Sequence, residues 1–281
     1  MIQRNALRSW KALTPTPEII VFGDETGAAQ AAASVGAIHV PDVRRSVEGT
    51  PLISAMFEEA QRIATNPVLC YSNADMVFFN DLLSAVAILE CQPRAYLLTG
   101  RRHDTDVTTA VDFCDAAQTQ ALLQLAVEHG KKYPPVGMDY FVFRKGSLTN
   151  LPEFAVGRPR WDNWMLYFAR KNGFLLVDAT EAVFAIHQNH DYSHHAQGTA
   201  GVWEGNEAQR NMTFAGGWDY IFTLNHATHQ LDANGLQRAH RRKKKYEWLS
   251  EVRALHPWTR RPIQWGVSLK HLLWRTFTRT L

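Results

Sequence analysis

The chain lacks the features that mark several classes of protein. No apolar run of roughly 18 residues or more occurs among its 281 residues, so we expect no membrane-spanning helix. The first residues lack the apolar stretch of a secretory signal peptide. The three cysteines are odd in number and have no metal-ligand spacing, which favours a reduced, cytoplasmic setting. The net charge of +3 is too small to indicate nucleic-acid binding, and we expect no nucleic-acid partner.

Apolar and aromatic residues are plentiful. Hydrophobic residues make up 46% of the chain and charged residues 20%, a balance typical of a globular protein with a substantial core. Nine Trp and 14 Phe are many for this length. Aromatic side chains in such number usually fill cores, although some line sugar or base sites. We find no internal repeat and no low-complexity linker.

Helix and strand patterns alternate over the first 106 residues. Strands are predicted at 18–22, 37–40, 68–71 and 95–99, and helices at 3–13, 28–35, 50–63 and 81–90, with Thr50 as an N-cap. This alternation predicts an α/β domain with a mostly parallel mixed sheet and helices on both faces. Further on, helices are predicted at 118–129 and 161–169, and strands at 137–143, 175–178 and 182–186.

The stretch from Val68 to Met76 carries the first candidate site. An apolar strand runs into Asn73 and Asp75, whose side chains point the same way if the backbone stays extended. In open α/β sheets, ligands bind beyond the carboxyl ends of the strands. Two oxygen ligands there suit a divalent cation that holds a diphosphate. The alternative is that Asp75 merely ends the strand and that residues 80–81 cap the next helix.

Other candidate residues follow a strand or open a helix. Asp162 lies between two tryptophans at the start of a predicted helix. It is either a general base or an acidic residue that complements the helix dipole. His187 directly follows a predicted apolar strand. It is either a metal ligand or a histidine that is hydrogen-bonded to a backbone carbonyl. We interpret His190, His194 and His195 as loop residues. No cysteine or acidic residue lies at the usual spacing for zinc, so zinc is not favoured.

Two charged groups have both a functional and a surface interpretation. Arg101 and Arg102 could hold a phosphate, with Asp104 and Asp106 holding a hydroxyl, or all four could form a solvated ion cluster. The segment 238–245 has six basic residues in eight and precedes several tryptophans. It is either a solvated helix face or a segment that lies against anionic lipid at the inner face of the membrane.

The order of several short motifs adds a resemblance. These motifs are Gln3-Arg-Asn-Ala-x-x-Ser-Trp10, Phe22-Gly-Asp24, Gly49-Thr-Pro51, Tyr71-Ser-Asn-Ala-Asp75, Gly100-Arg-Arg102, Asp139-Tyr-Phe141, Trp161-Asp-Asn-Trp164 and His187-Gln-Asn-His-Asp-Tyr192. Together they resemble a GT-A-type nucleotide-diphospho-sugar transferase, more narrowly an uncharacterised subgroup like glycosyltransferase family 2. The resemblance covers about residues 3–230.

The resemblance implies a set of roles for individual residues. Asn73 and Asp75 match the Asp-x-Asp metal motif of the fold, with Asn in place of the first Asp. Asp75 and His187 would hold Mn²⁺ or Mg²⁺, and Asp162 would be the catalytic base of an inverting enzyme. The residues that would bind the nucleotide sugar are Arg4, Asp24, Asn73, Arg101, Arg102 and Asp139.

The resemblance also implies an architecture and a reaction. Residues 1–230 would form a GT-A-like (Rossmann-like) domain that lacks the usual first strand, and residues 231–281 a basic, aromatic, helical extension. The expected reaction is sugar transfer from a nucleotide-diphosphate-sugar donor to a hydroxyl of an unknown glycan, lipid or small molecule. One alternative is a non-catalytic nucleotide-sugar-binding protein, favoured by Asn73 and the missing strand. A nucleotidyltransferase is less favoured, because no Gly-rich basic loop follows the first predicted strand.

Overall fold

A computed structural model describes residues 1–190, 198–239 and 245–259. The helices are α1 (Ile2–Lys11), α2 (Ala28–Val35), α3 (Ile53–Ile63), α4 (Asn80–Glu90), α5 (Ala116–His129), α6 (Trp161–Lys171), α7 (Gly198–Glu204), α8 (Asn206–Ala215) and α9 (Lys245–Leu255). The strands are β1 (Ile20–Phe22), β2 (Ile38–Val40), β3 (Val68–Ser72), β4 (Met76–Val77), β5 (Tyr96–Thr99), β6 (Arg102–Thr105), β7 (Lys131–Lys132), β8 (Tyr140–Arg144), β9 (Leu175–Asp178), β10 (Ala185–Gln188), β11 (His229–Asp232) and β12 (Gly235–Arg238).

Some predicted features lie outside the described residues. They include most of the basic segment 238–245 and, further along, two of the tryptophans that follow it, Trp265 and Trp274. Tyr192 of the last motif and the candidate residues His194 and His195 also lie outside the described residues. Within the described parts of the chain, no helix has both the length and the hydrophobicity needed to cross a bilayer.

The largest sheet has six strands in the order β12-β11-β9-β5-β8-β3. Strand β5 runs parallel to β9, and β9 parallel to β11, whereas β8 runs antiparallel to both β5 and β3. The α/β class is therefore confirmed, with mixed sheets, but the expectation that parallel pairs dominate is wrong. The reason is that β8 inserts between β3 and β5, which the alternation of the first 106 residues had placed in one parallel sheet.

Two smaller sheets accompany the large one. Strands β1 and β2 form a parallel pair of their own. Strands β4, β10, β6 and β7 form a four-stranded sheet in which β10 is parallel to β6 and antiparallel to β4. The segment 100–106 therefore contains a strand, where the sequence indicated only polar residues after a strand. This four-stranded sheet adjoins the end of β3 through the turn at residues 73–75.

Helices cover both faces of the large sheet, as predicted. On one face, Phe57 of α3 and Met165 of α6 share an apolar core with the strand residues Leu97 and Phe141. On the other face, Leu82 and Leu89 of α4 share a core with the intervening strand residues Leu98 and Val142. Successive side chains of a strand point to opposite faces, so each strand contributes to both cores.

Helix α3 begins later than the sequence predicts. Pro51 and Leu52 form isolated bridges with Arg45 and Ala155, so the backbone is extended where the helix was expected to start. Thr50 is therefore not the N-cap; Leu52 takes that position without a side-chain cap. Instead, the Thr50 hydroxyl donates to Glu207 Oε2 at 2.7 Å.

Glu207 at the start of α8 is a buried anchor for that extended segment. Only 2% of it is exposed, and its carboxylate accepts hydrogen bonds from Ser46 and Thr50. Arg158 pairs with it at 2.9 Å. These bonds offset the unfavourable burial of the charge and lower the pKa of Glu207. A buried charge that is fully paired fixes α8 against the 46–50 segment.

The hairpin of β11 and β12 extends the large sheet at one edge. Strand β11 pairs parallel with β9, and β12 pairs antiparallel with β11. The boundary expected between residues 230 and 231 falls inside β11. Helix α9 follows the hairpin, and its Arg253 pairs with Asp219 at 2.7 Å.

Candidate functional site

The site begins at the turn that follows β3. The backbone N–H of Asn73 donates to the Asp139 carbonyl at 2.9 Å, because Ser72 of β3 pairs with Tyr140 of β8. The Asn73 side-chain amide donates to Asp139 Oδ1 at 2.8 Å, and its oxygen accepts from the Tyr71 hydroxyl at 2.9 Å. Both ends of the Asn73 amide are therefore engaged within the protein, and Asn73 braces the turn.

Asp75 meets two histidines from β10 and the residues after it. His190 Nε2 lies 3.1 Å and His187 Nε2 3.6 Å from Asp75 Oδ2. One ligand atom from each of the three residues lies within 4.8 Å of the others, which is the arrangement of a metal site. The other carboxylate oxygen, Asp75 Oδ1, is buried and has no hydrogen-bond partner in the described structure. A buried oxygen without a partner is costly, and a cation would compensate it.

The position of Asp75 is set by contacts distant in the chain. Gln188 donates to the Asp75 carbonyl through both its backbone N–H and its side-chain amide, each at 3.1 Å. Asn5 in α1 donates to Gln188 Oε1 at 3.0 Å, and Trp10 donates to the Met76 carbonyl at 2.9 Å. Helix α1 thus holds the 73–76 segment and β10 together.

The two histidines favour the ionised form of Asp75. Burial of the carboxyl group opposes ionisation, but hydrogen bonds and charge from His187 and His190 outweigh it and lower the pKa of Asp75. An ionised carboxylate beside imidazole nitrogens is the protonation state that a metal ion requires.

A second group of charges lies beside this cluster. The Arg102 guanidinium pairs with Asp104 at 2.8 Å and with Asp139, and it lies 4.1 Å from the centre of the Tyr133 ring. Burial would lower the pKa of Arg102, but the two carboxylates raise it. Arg102 is therefore a fixed cation whose charge two carboxylates already balance.

Asp162 lies in the first turn of α6, where its neighbours hold the carboxyl group in an apolar setting. Burial, with a contribution from the charge of Asp139, raises the pKa of Asp162 to about 7. The backbone N–H groups of Asn163 and Met138 hydrogen-bond the carboxylate and oppose this rise. A carboxyl group with a pKa near neutrality can accept a proton and release it again at physiological pH.

Tyr71 connects the metal-ligand cluster to Asp162. Burial raises the pKa of its phenol, and the charges of Asp139, Asp75 and Asp162 raise it further. One side chain thus lies within electrostatic reach of all three carboxylates. The Tyr71 ring also packs edge-on against Trp161, with centroids 5.1 Å apart. Asp75, Asp139 and Asp162 therefore share one region, where β3 ends and β8 and α6 begin.

Three residues predicted to bind the nucleotide sugar have other contacts. Arg4 is exposed on α1, while its neighbour Asn5 is the buried residue that holds Gln188. Asp24 pairs with Arg45 in an exposed position. The Arg101 side chain donates to the carbonyls of Lys132 and Tyr133. Within the described ranges, none of the three is hydrogen-bonded to Asp75 or Asp162.

The structure brings to the site three residues to which the sequence analysis gave other roles. His190, interpreted as a loop residue, contacts Asp75 directly. Asp104 is within a strand and faces His187 across the β6–β10 pairing. Tyr71 was assigned to the apolar strand. The spacing of His187 and His190 was the signal that could have found the second histidine, once Asp75 was known to lie opposite.

Comparison with known proteins adds no family. No protein-family model matches the chain, and no curated protein matches it either.

Proposed function

We propose that this protein is a metal-assisted, inverting glycosyltransferase of the GT-A type that uses a nucleotide-diphosphate-sugar donor. The observation that carries the proposal is that a possible cation site and a possible general base lie at one edge of the fold. A carboxylate–histidine cluster able to hold a cation lies in the same region as Asp162, a carboxyl group whose pKa is about 7. Cation-assisted departure of a diphosphate and deprotonation of an acceptor hydroxyl are the two requirements of single-displacement sugar transfer.

The donor atoms decide which cation fits. Asp75 offers an oxygen, and His187 and His190 each offer an imidazole nitrogen. Mg²⁺ prefers oxygen ligands and water, whereas two imidazoles with one carboxylate suit Mn²⁺ and its neighbours in the transition series. Of the two expected cofactors, Mn²⁺ is therefore the better fit. When bound, the ion would neutralise charge on the nucleoside diphosphate.

Asp162 is the base in this proposal. Its carboxylate takes the proton of the acceptor hydroxyl while that oxygen forms a bond to the anomeric carbon. The bond from the anomeric carbon to the diphosphate oxygen breaks, and the electron pair leaves with the nucleoside diphosphate. Because the base and the leaving group lie on opposite sides of the anomeric carbon in a single displacement, the product has inverted configuration.

In this proposal, the residues around Asp162 and Asp75 have supporting tasks. Trp161 and Phe141 pack beside Tyr71, with the centroids of Trp161 and Phe141 5.6 Å apart, which keeps the local setting apolar. Arg102 is balanced by Asp104 and Asp139 and so fixes those carboxylates. The arginines 101 and 102 are thus positioning groups here, instead of the expected phosphate ligands.

A second candidate function is binding of a nucleotide sugar without turnover. Two observations favour it: the Asn73 amide is engaged with Tyr71 and Asp139, and Arg102 is already paired with carboxylates. Both residues were expected to bind the nucleotide sugar. In this case the cation cluster would contribute affinity, and Asp162 would have no proton to take.

Release of nucleoside diphosphate distinguishes these functions. The full chain is incubated with Mn²⁺, a panel of UDP-, GDP- and dTDP-sugars and a mixed panel of saccharide and lipid acceptors. We expect turnover of one donor class, a loss of at least about 100-fold in Asp162→Asn, and a comparable loss in Asp75→Ala. Asp42→Asn, an exposed loop carboxylate, serves as the matched control and should keep the wild-type rate. Full turnover by both site variants refutes the assignment, and binding of a donor without turnover in the wild type supports the second candidate.

A further inference from the structure

Asp104 lies directly behind His187. The two residues are partners in the parallel pairing of β6 and β10. His187 Nδ1 is 3.0 Å from Asp104 Oδ1, while the opposite ring nitrogen, Nε2, faces Asp75. Nδ1 is buried and has no hydrogen bond within the described structure, so Asp104 is the acceptor nearest to hand for a proton on this nitrogen.

Neighbouring groups hold the Asp104 carboxylate in place. Arg102 Nε donates to Asp104 Oδ1 at 2.8 Å, and the same guanidinium pairs with Asp139. The Asp104 side chain is 22% exposed and that of Arg102 only 14%. The carboxylate thus approaches His187 from a fixed direction, with its charge balanced by an arginine that cannot be deprotonated in proteins.

We propose that Asp104 is a positioning residue that keeps the proton of His187 on Nδ1 and so leaves Nε2 free to bind a metal ion. This inference rests on the metal site of the proposed function. A neutral imidazole carries one proton, and the nitrogen that binds a metal must be without it. With the proton on Nδ1, the carboxylate gains a donor. With the proton on Nε2, the Nδ1 lone pair would face a carboxylate oxygen and be repelled.

In this arrangement, Asp104 sets the orientation of the His187 ring as well as the nitrogen that carries its proton. A carboxylate behind a metal-binding histidine fixes the plane of the ring, and its removal typically lowers metal affinity by about 10- to 100-fold. The His190 side chain is 29% exposed. His187 is 14% exposed and is the more constrained ligand. The contribution of Asp104 should therefore pass through His187.

Calorimetric titration of the full chain with MnCl₂ tests the proposal. We expect Asp104→Asn to bind Mn²⁺ about 10- to 100-fold more weakly than the wild type. In a His187→Ala background, Asp104→Asn should cause little further loss, because a residue that acts through His187 has nothing left to position. Asp42→Asn is the control, since Asp42 is an exposed loop carboxylate that takes no part in the site. Wild-type affinity in Asp104→Asn, or additive losses in the double variant, overturns the proposal.

A measurement on the wild type avoids any effect of substitution on folding. ¹⁵N chemical shifts of the His187 ring, assigned by comparison with His187→Ala, report which nitrogen carries the proton. We expect Nδ1 to carry the proton and Nε2 to carry none when Mn²⁺ is bound, and a Mn²⁺-bound chain in which Nδ1 has no proton contradicts the proposal. Arg102→Lys keeps the positive charge but loses the planar guanidinium that pairs with two carboxylates. It should weaken Mn²⁺ binding less than Asp104→Asn.

These experiments separate the inference from the proposed function. They use Mn²⁺ alone and require no sugar donor. A chain that binds Mn²⁺ with the expected variant pattern but turns over no donor refutes the transferase and leaves the role of Asp104 intact. A wild-type chain that binds no Mn²⁺ overturns the role of Asp104.

Discussion

His190 Nε2 lies 3.1 Å from Asp75 Oδ2, although 115 residues separate them in the chain. Neither residue lies within a strand: Asp75 is in the turn between β3 and β4, and His190 follows the end of β10. Their contact depends on the antiparallel pairing of β4 with β10, which aligns Met76 with His187. Two short strands are thus responsible for assembling the cation cluster.

The first prediction concerns metal selectivity. Because a ligand that binds only the native state stabilises it, Mn²⁺ should raise the melting temperature more than Mg²⁺ at equal concentration. His190→Ala should reduce the Mn²⁺ shift by more than half. His129→Ala, a histidine whose side chain is 71% exposed at the end of α5, should leave it unchanged. Differential scanning fluorimetry measures all three chains, and equal shifts with both ions would argue against the nitrogen ligands.

The second prediction is a pH dependence of turnover that follows Asp162. The base must be ionised to accept the acceptor proton, so the rate should rise as pH increases through about 7, the pKa that burial gives Asp162. Below pH 6 the rate should fall roughly tenfold per pH unit. Rates measured from pH 5 to 9 on the donor found by the panel test this, with circular dichroism at each pH as the control for unfolding. A rate independent of pH over this range is the contrary outcome.

The same carboxyl group should also affect stability. Its pKa in the unfolded chain is near 3.9, well below the folded value of about 7, so the folded state binds the extra proton. The stabilisation from that proton is fully present below about pH 4 and is lost as pH rises through about 7. Asp162→Asn removes the cost of burying the charge and should be more stable than wild type at pH 8, by about 1 to 4 kcal/mol. Chemical denaturation at pH 5 and pH 8 gives the comparison, and an equal difference at both pH values would exclude a raised pKa.

The third prediction concerns the departure from the Asp-x-Asp motif. Restoring a carboxylate with Asn73→Asp should not improve Mn²⁺ affinity, because the Asn73 amide donates to Asp139. The substitution removes that donor and places two carboxylates together, at a cost of about 1 to 3 kcal/mol. Asn150→Asp is the control, since Asn150 is exposed and in a left-handed conformation that Asp also tolerates. Tighter Mn²⁺ binding in Asn73→Asp would show that position 73 is a ligand position after all.

The fourth prediction tests the buried anchor at Glu207. Glu207→Ala leaves Arg158 without its carboxylate partner and should cost about 3 to 5 kcal/mol at pH 7. Since the folded pKa of Glu207 is lowered, its stabilisation is present above the unfolded pKa and is lost as pH falls through the folded one. The difference from wild type should therefore shrink under acid conditions. Urea denaturation at pH 7 and pH 3.5 measures it, with the exposed Glu204→Gln as the control.

The sequence predicted the local elements better than their arrangement. Most helices and strands lie within a few residues of their predicted ranges, because periodic apolar patterns and stop signals are local properties. The direction of β8 and the position of β5 beside it depend on long-range packing, which no local pattern encodes. The late start of α3 has the same cause, since the bridges of Pro51 and Leu52 to distant partners override an N-cap signal.

Prediction of the site was limited in the same way. Asp75 and His187 were singled out because polar residues at the end of apolar strands are conspicuous, and the structure brings them together. Asp104 lies inside a strand too short and too polar to be recognised, so its contact with His187 could not be foreseen. His190 was interpreted as a loop residue because four histidines lie within residues 187–195, and its contact with Asp75 depends on the pairing of β4 with β10.

The hydrogen bonds of the Gln188 side chain make the site dependent on helix α1, near the first residues of the chain. The side chain of Gln188 is itself fully buried, and it bonds to the Asp75 carbonyl, the Ile2 carbonyl and the Asn5 amide. Opening α1 would release the turn that carries Asp75 at the same moment. Amide protons of α1 and of β10 should therefore exchange with deuterium at a common rate, as parts of a single cooperative unit.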